Sequence, residues 1–132
     1  MAGENLDIVR RAFEELLRGD YEGGVWDPGV EVSNAAGWVI ETDYRGHEGL
    51  RRWWHDLAEA FGDFTLELEE MMEIDHERVL TTQRFVGHFR ATEIEFDGPW
   101  ASILWIRDGR IVRAEGHLSK RRAMRAAGLA VA

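Results

Sequence analysis

Trp100-Ala101-Ser102-Ile103-Leu104-Trp105-Ile106-Arg107-Asp108-Gly109-Arg110-Ile111-Val112-Arg113-Ala114-Glu115-Gly116-His117-Leu118 is the stretch that decides the fold class. Two alternating runs flank Asp108-Gly109, and both central positions of a two-residue hairpin turn require positive φ, which Asp and Gly accept. The stretch predicts antiparallel strands from about Trp100 to Arg107 and Arg110 to Leu118. Alternation continues upstream, predicting strands from about Phe64 to Glu73 and Val79 to Phe89, with a weaker extension through Glu93 to Phe96. Asp97-Gly98 reads as a further turn, and Pro99 blunts the start of the strand behind it. Phe85 and Phe89 alternate against Arg84, Val86 and His88, and Ile103 and Trp105 against Ser102 and Leu104, so both sheet faces carry apolar groups. One face is expected to cover helices and the other, with Phe85, Phe89 and Trp105, to meet a second copy of the chain.

Upstream of residue 64 the period is helical. Leu6, Val9, Phe13, Leu16 and Leu17 form a stripe on a helix from about Glu4 to Arg18, which Gly19 stops. Leu50, Trp54, Leu57 and Phe61 share the buried side of a second helix, about His47 to Phe61, with Trp53 on its flank and Gly46 and Gly62 at its ends. Between them, Pro28-Gly29 marks a turn and Val30-Glu31-Val32-Ser33 a short strand. Ser119 caps a last short helix, Lys120 to Ala127, ended by Gly128. The apolar segment Ala35-Ala36-Gly37-Trp38-Val39-Ile40 reads either as a lid or as a continued strand. No repeat, linker or low-complexity tract breaks the chain, which is read as one α+β domain over residues 1–132.

Composition narrows the partners. With 45% hydrophobic and 31% charged residues the chain has the make-up of an ordinary globular domain, and no apolar run approaches membrane-spanning length. The absence of cysteine removes disulfides, thiolate metal sites and cysteine nucleophiles, and fits a cytoplasmic home. A net charge of −9 disfavours nucleic acid, and the basic group Lys120, Arg121, Arg122 and Arg125 reads as a solvated helix face. Six tryptophans in so short a chain point to an aromatic-lined cavity, a subunit interface or both.

The order of these elements resembles a known family. A helix, a glycine-rich turn, a strand, then Tyr44-Arg45-Gly46-His47-Glu48-Gly49-Leu50 opening an amphipathic helix before a four-stranded meander is similar to the SnoaL-like branch of the nuclear-transport-factor-two-like superfamily. Phe61-Gly62-Asp63-Phe64, Arg107-Asp108-Gly109-Arg110-Ile111-Val112-Arg113 and Ala123-Met124-Arg125-Ala126-Ala127-Gly128-Leu129 add to the likeness, which runs from Asn5 to Leu129. The resemblance implies a curved antiparallel sheet wrapped around the N-terminal helices as a cone with a central pocket, in a homodimer paired through the sheet face. It implies a small-molecule ligand and no cofactor, but it does not fix a reaction.

Carried over from limonene epoxide hydrolase, Asn34 falls on a water-positioning asparagine and Arg84 on a central arginine. The two carboxylates of that site would fall on Val86 and Gly116, so epoxide hydrolysis is disfavoured. Against ketosteroid isomerase, the base falls near Asn34 and the proton donor near Ser102, neither of which keeps the role. What remains is a trio of Arg84, Asn34 and His88, with the imidazole moving a proton while the other two hold a carbonyl or enolate oxygen. That suits isomerisation, dehydration or cyclisation. His88 also reads as a hydrogen-bonded wall residue, and Arg84 as the partner of Glu67, Glu69 or another acidic residue. Trp38, Trp54, Phe13, Phe61, Val86, Trp100 and Ser102 are the expected pocket lining. His47, His55 and His76 read as surface or turn residues.

Glu115 and His117 form a competing pair. Counting from Asp108-Gly109 sets them opposite Ser102 and Trp100, whereas the family alignment turns Ala114 and Gly116 inward, and a bulge would reverse the parity. His88, His117 and Glu115 lack any fixed metal-ligand spacing, so no metal is expected. The alternative to an enzyme is the same dimeric cone as a ligand-binding or assembly module without turnover.

Overall fold

Helix α1 (Glu4–Leu17) and helix α2 (Gly46–Phe61) arise where the helical period was read, and each buries one stripe. The computed structural model describes residues 3–34 and 43–130. In α1 the buried side is Ile8, Val9, Ala12, Phe13 and Leu16, whereas Leu17 is turned out to solvent. Past its end Gly19 takes φ 74°, and Asp20 N–H closes back on the Glu15 carbonyl at 2.8 Å. That left-handed turn satisfies a carbonyl the helix would otherwise leave open. In α2 it is Trp53 that is buried with Leu50, Leu57 and Phe61, and Trp54 stands on the flank, the reverse of the expected order.

Among the described residues six strands follow or precede these helices: β1 (Trp26–Ser33), β2 (Asp43–Arg45), β3 (Thr65–Glu73), β4 (Arg78–His88), β5 (Glu95–Arg107) and β6 (Arg110–His117). They make one curved, unclosed sheet in the order β2-β1-β6-β5-β4-β3. The sheet is mixed rather than wholly antiparallel, because β1 runs parallel to β6. The meander β3 to β6 is antiparallel as read. A short helix α3 (Lys120–Ala126) closes the described chain, with the Ser119 hydroxyl accepting from Arg122 N–H at 3.2 Å.

Asp108 and Gly109 take φ 52° and 75°, so the β5–β6 hairpin turns where the sequence places it. Three residues later the register slips. Arg107 faces Arg110 and Ile106 faces Ile111, but Trp105 faces Arg113, which leaves Val112 as a bulge. Because side chains alternate across a strand, this one extra residue reverses every side chain behind it. Ala114 and Gly116 sit opposite Leu104 and Ser102, and Glu115 and His117 opposite Ile103 and Ala101. Simple counting, which set Glu115 against Ser102, is overturned, and the family alignment holds.

The inner face of the sheet lies against α1 and α2. Phe85 is 2% exposed in that core, and its ring lies 4.8 Å from Phe61, 5.2 Å from Phe64 and 5.8 Å from Phe96. Phe89 joins the group at 4.7 Å from Phe61. Arg84, Val86 and His88 therefore point to the outer face, opposite to the expectation. Burying two phenylalanines is worth several kcal/mol (roughly 2–3 each), whereas burying an unpaired guanidinium is costly, and one strand cannot turn both sets inward.

Asp97-Gly98 is not a turn. Strand β5 runs straight through Asp97, Gly98 and Pro99. Pro99 is tolerated because β6 pairs only with the later part of β5, from Ala101 on, so no ladder donor is missed on that side. The chain reverses earlier, at residues 90–94, where Glu93 takes φ 58° and Phe89 N–H bonds the Ile94 carbonyl at 2.9 Å. On the outer face α3 covers Leu80, Ala101 and Ile103 with Ala123 and Ala127, and Trp105 packs beside them.

Candidate functional site

Three strands bring a polar row to the middle of the inner face. Thr81 of β4 faces Ser102 of β5, which in turn faces Gly116 of β6, and Gln83 faces Trp100 in the next row. Alternation alone puts these residues on one face with Val79, Phe85 and Leu104. Phe13 and Leu16 of α1 and Leu50 and Trp53 of α2 close over them and leave a cavity of about 30 Å³. That is room for about two water molecules. A second void of about 10 Å³ lies between Leu57 and Phe85, and Trp53, Leu66 and Trp100 line both. These three side chains stand between the two voids.

The polar groups of the cavity are few and deeply buried. Asn34 is 8% exposed, and its Oδ1 accepts from the Trp53 indole N–H at 3.1 Å. The Trp26 indole donates to the Ala12 carbonyl at 3.2 Å. Ser102 is buried, and Gln83, 1% exposed, donates Nε2 to the Thr81 hydroxyl at 2.7 Å. The Gln83 carbonyl oxygen, Oε1, is buried without a hydrogen-bond partner among the described residues. None of the described residues that line the cavity is charged or titrates near neutrality.

Four of the expected residues meet here: Asn34, Phe13, Trp100 and Ser102. Trp38 lies outside the described residues, as does the segment 35–40 read as a lid or strand. Trp54 flanks the cavity wall and packs on Phe64 at 4.9 Å, and Phe61 is sealed in the phenylalanine cluster. Val86, Arg84 and His88 stand on the outer face, away from the cavity, for the packing reason given above. Arg84 forks onto Asp97 at 2.9 and 2.6 Å, an acidic partner other than Glu67 and Glu69. That guanidinium holds the Asp97 carboxyl below the usual carboxylate range, and the pair in turn raises Arg84 further. Both groups are about half exposed, so the pair is solvent-screened.

Glu115 and His117 are also on the outer face. His117 Nε2 lies 2.6 Å from Glu115 Oε1, whose other oxygen accepts from Arg113 at 3.1 Å. Arg113 lies over the Trp105 ring at 5.0 Å. The sheet separates this group from the cavity. His88 faces Glu95 at one end of β5 while His117 faces Ala101, so the paper metal set of His88, His117 and Glu115 does not assemble. Of the other histidines, His47 bonds the Trp26 carbonyl at 2.8 Å, His55 pairs with Glu59, and His76 is exposed.

Gln83, Trp26 and Trp53 were missed as lining residues. The signal for Gln83 was present: it alternates with Val79, Thr81 and Phe85, and the two flanking apolar residues mark that set as the core side. A wider, open depression of about 650 Å³ lies along β1 and β2, where Arg45, Arg52 and Arg113 mingle with Glu31, Asp43 and Glu48.

Comparison with known proteins agrees with this architecture. An NTF2-like protein from Burkholderia xenovorans LB400 superposes with a TM-score of 0.77 at 23% identity, over 93% of this chain and 97% of that one. TerC, co-crystallized with polyporic acid, superposes with a TM-score of 0.75 at 18% identity, over 88% and 92% of the two chains. A putative SnoaL-like polyketide cyclase from Jannaschia sp. CCS1 gives 0.70 at 17% identity, over 86% and 84%. At these identities the likeness is one of fold. No curated protein matches the sequence. Residues 9–114 match the SnoaL-like domain, and the chain belongs to that family.

Proposed function

We propose that the chain is a binding module that holds a small, flat, largely apolar, oxygen-bearing molecule in the cavity between the helices and the inner sheet face. The observation that carries this is the lining itself: Trp26, Trp53, Trp100 and Phe13 supply aromatic walls, and a few uncharged polar groups interrupt them. Apolar walls with a small number of placed polar groups are the usual make-up of a small-molecule site. TerC was co-crystallized with polyporic acid, and the Jannaschia chain is described as a putative polyketide cyclase, which supports a small-molecule role for the same cone.

Proton-transfer chemistry as first expected loses its groups. His88 and Arg84 stand outside, and amides and a hydroxyl such as Asn34, Gln83 and Ser102 neither accept nor supply protons readily at neutral pH. The module without turnover is therefore the better reading. A cavity of about 30 Å³ admits a ring only when side chains move, and Trp100 is one of three side chains, with Trp53 and Leu66, that line both voids. A cytoplasmic home belongs to the same proposal. Among the described residues no helix is long and apolar enough to cross a membrane.

The homodimer through the sheet face is retained with altered residues. Phe85 and Phe89 are unavailable, so the contact would rest on Thr82, Val86, Pro99 and Trp105 of the outer face. The test of the site is a titration of the indole N–H resonances with 2-naphthol. Shifts at Trp26, Trp53 and Trp100 with Trp105 unmoved are expected. Shifts confined to Trp105, or none at all, would overturn the reading.

A further inference from the structure

We infer that Gln83 is the recognition group of this cavity and that it selects ligands presenting a hydrogen-bond donor, an alcohol or phenol, over ethers and carboxylates. The inference rests on the cavity reading above and adds what the occupant must carry. Gln83 is 1% exposed and donates one of its two amide N–H groups to Thr81, while its carbonyl oxygen is buried with no partner among the described residues. A buried acceptor left unpaired is destabilising, because it has given up its hydrogen bond to water for nothing. An apolar side chain of similar volume would avoid that penalty, so the orphan oxygen implies an occupant that donates to it.

The other polar groups sharpen the selection. Asn34 Oδ1 is engaged by the Trp53 indole, and Ser102, whose hydroxyl donates as well as accepts, stands beside Thr81 in the same polar row. A hydroxyl on the ligand could donate to Gln83 while accepting from Ser102. A carboxylate has no donor for Gln83 and meets no cation among the described lining residues. An ether offers an acceptor only and leaves the Gln83 oxygen unpaired. A water molecule, for which about 30 Å³ leaves room, would donate to Oε1 until a ligand hydroxyl displaces it.

The experiment compares three probes of one shape, 2-naphthol, 2-methoxynaphthalene and 2-naphthoate, titrated against the indole resonances of the wild-type chain and of Gln83→Leu. The wild type should bind 2-naphthol about tenfold tighter than the ether, the worth of one buried neutral hydrogen bond, and should bind naphthoate most weakly. Gln83→Leu should erase the naphthol preference and keep ether affinity within about threefold. Should Gln83→Leu fold poorly because Thr81 loses its partner, the double variant Thr81→Val/Gln83→Leu removes both ends of that bond and carries the same comparison. Equal binding of naphthol and ether by the wild type, as when Oε1 keeps a water in both complexes, overturns the role of Gln83 while the cavity reading stands. A naphthol preference that survives in Gln83→Leu does the same. If none of the three probes binds the wild type, the cavity reading falls with it.

Discussion

Trp100 lies against the bare backbone of Gly116, so close that a methyl group on Gly116 would overlap the indole Cζ2. The two residues sit diagonally on neighbouring strands, Gly116 facing Ser102 and Trp100 two residues before it, and the missing side chain makes the seat in which the indole rests. Gly116→Ala must push Trp100 out of that seat. The expected result is a loss of about 1–3 kcal/mol by thermal or urea unfolding, the usual cost of overpacking, together with a change in tryptophan emission. A variant as stable as the wild type, with unchanged emission, would show that the indole rests elsewhere.

The parity of β4 makes a second expectation. Phe85→Ala should cost about 3–5 kcal/mol, since it opens the ring cluster with Phe61, Phe64 and Phe96, whereas His88→Gln should stay within about 0.5 kcal/mol. His88→Gln should also leave 2-naphthol binding unchanged. Comparable losses for the two would mean that the strand is inserted the other way round.

The acid limb of stability follows from two depressed carboxyls. Asp75 is held down first by the Glu77 backbone N–H and then by Arg78, and Asp97 by the hydrogen bonds of Arg84. A carboxyl depressed in the folded state stabilises above its unfolded pKa, near 3.9, and that contribution disappears as the pH falls through the folded value. The melting difference between wild type and Asp97→Asn should therefore be small at pH 7, given the exposure of the pair, and smaller at pH 3. A difference that grows on acidification would contradict the Arg84–Asp97 assignment.

The quaternary proposal is checked by sedimentation at micromolar concentration, where a homodimer gives twice the chain mass. A stable contact on the outer face should bury about 1,600 Å² in total. Glu replacing Val86, half-buried on that face, should then yield monomers. A wild-type chain that sediments as a monomer removes the dimer from the account.

Much of the architecture was legible because it is local. The stripes of α1 and α2, the Asp108-Gly109 turn and the Ser119 cap each depend on residues a few positions apart. The parallel pairing of β1 with β6 was not legible, since no turn joins the two and nothing in either strand names its partner. Val112 hid its bulge because, in the run Ile111-Val112-Arg113, an unpaired apolar residue disturbs no pattern visible in one strand. The candidate site suffered from one wrong step. Taking Arg84 as an inward group by resemblance turned all of β4 over, which excluded Gln83 and admitted Val86 and His88. Phe85 and Phe89 argued for the opposite parity on burial alone.

The central claim is that the inner cavity takes an apolar ligand through Gln83, and a crystal structure of the chain soaked with 2-naphthol tests it most directly. The account predicts the ring between Trp53 and Trp100, with Trp100 displaced from its seat on Gly116 and the naphthol oxygen within hydrogen-bond distance, about 2.7 Å, of Gln83 Oε1. A cavity that keeps only water at that oxygen, with the naphthol lodged on the outer face or in the depression beside Arg45 and Arg52, would contradict it.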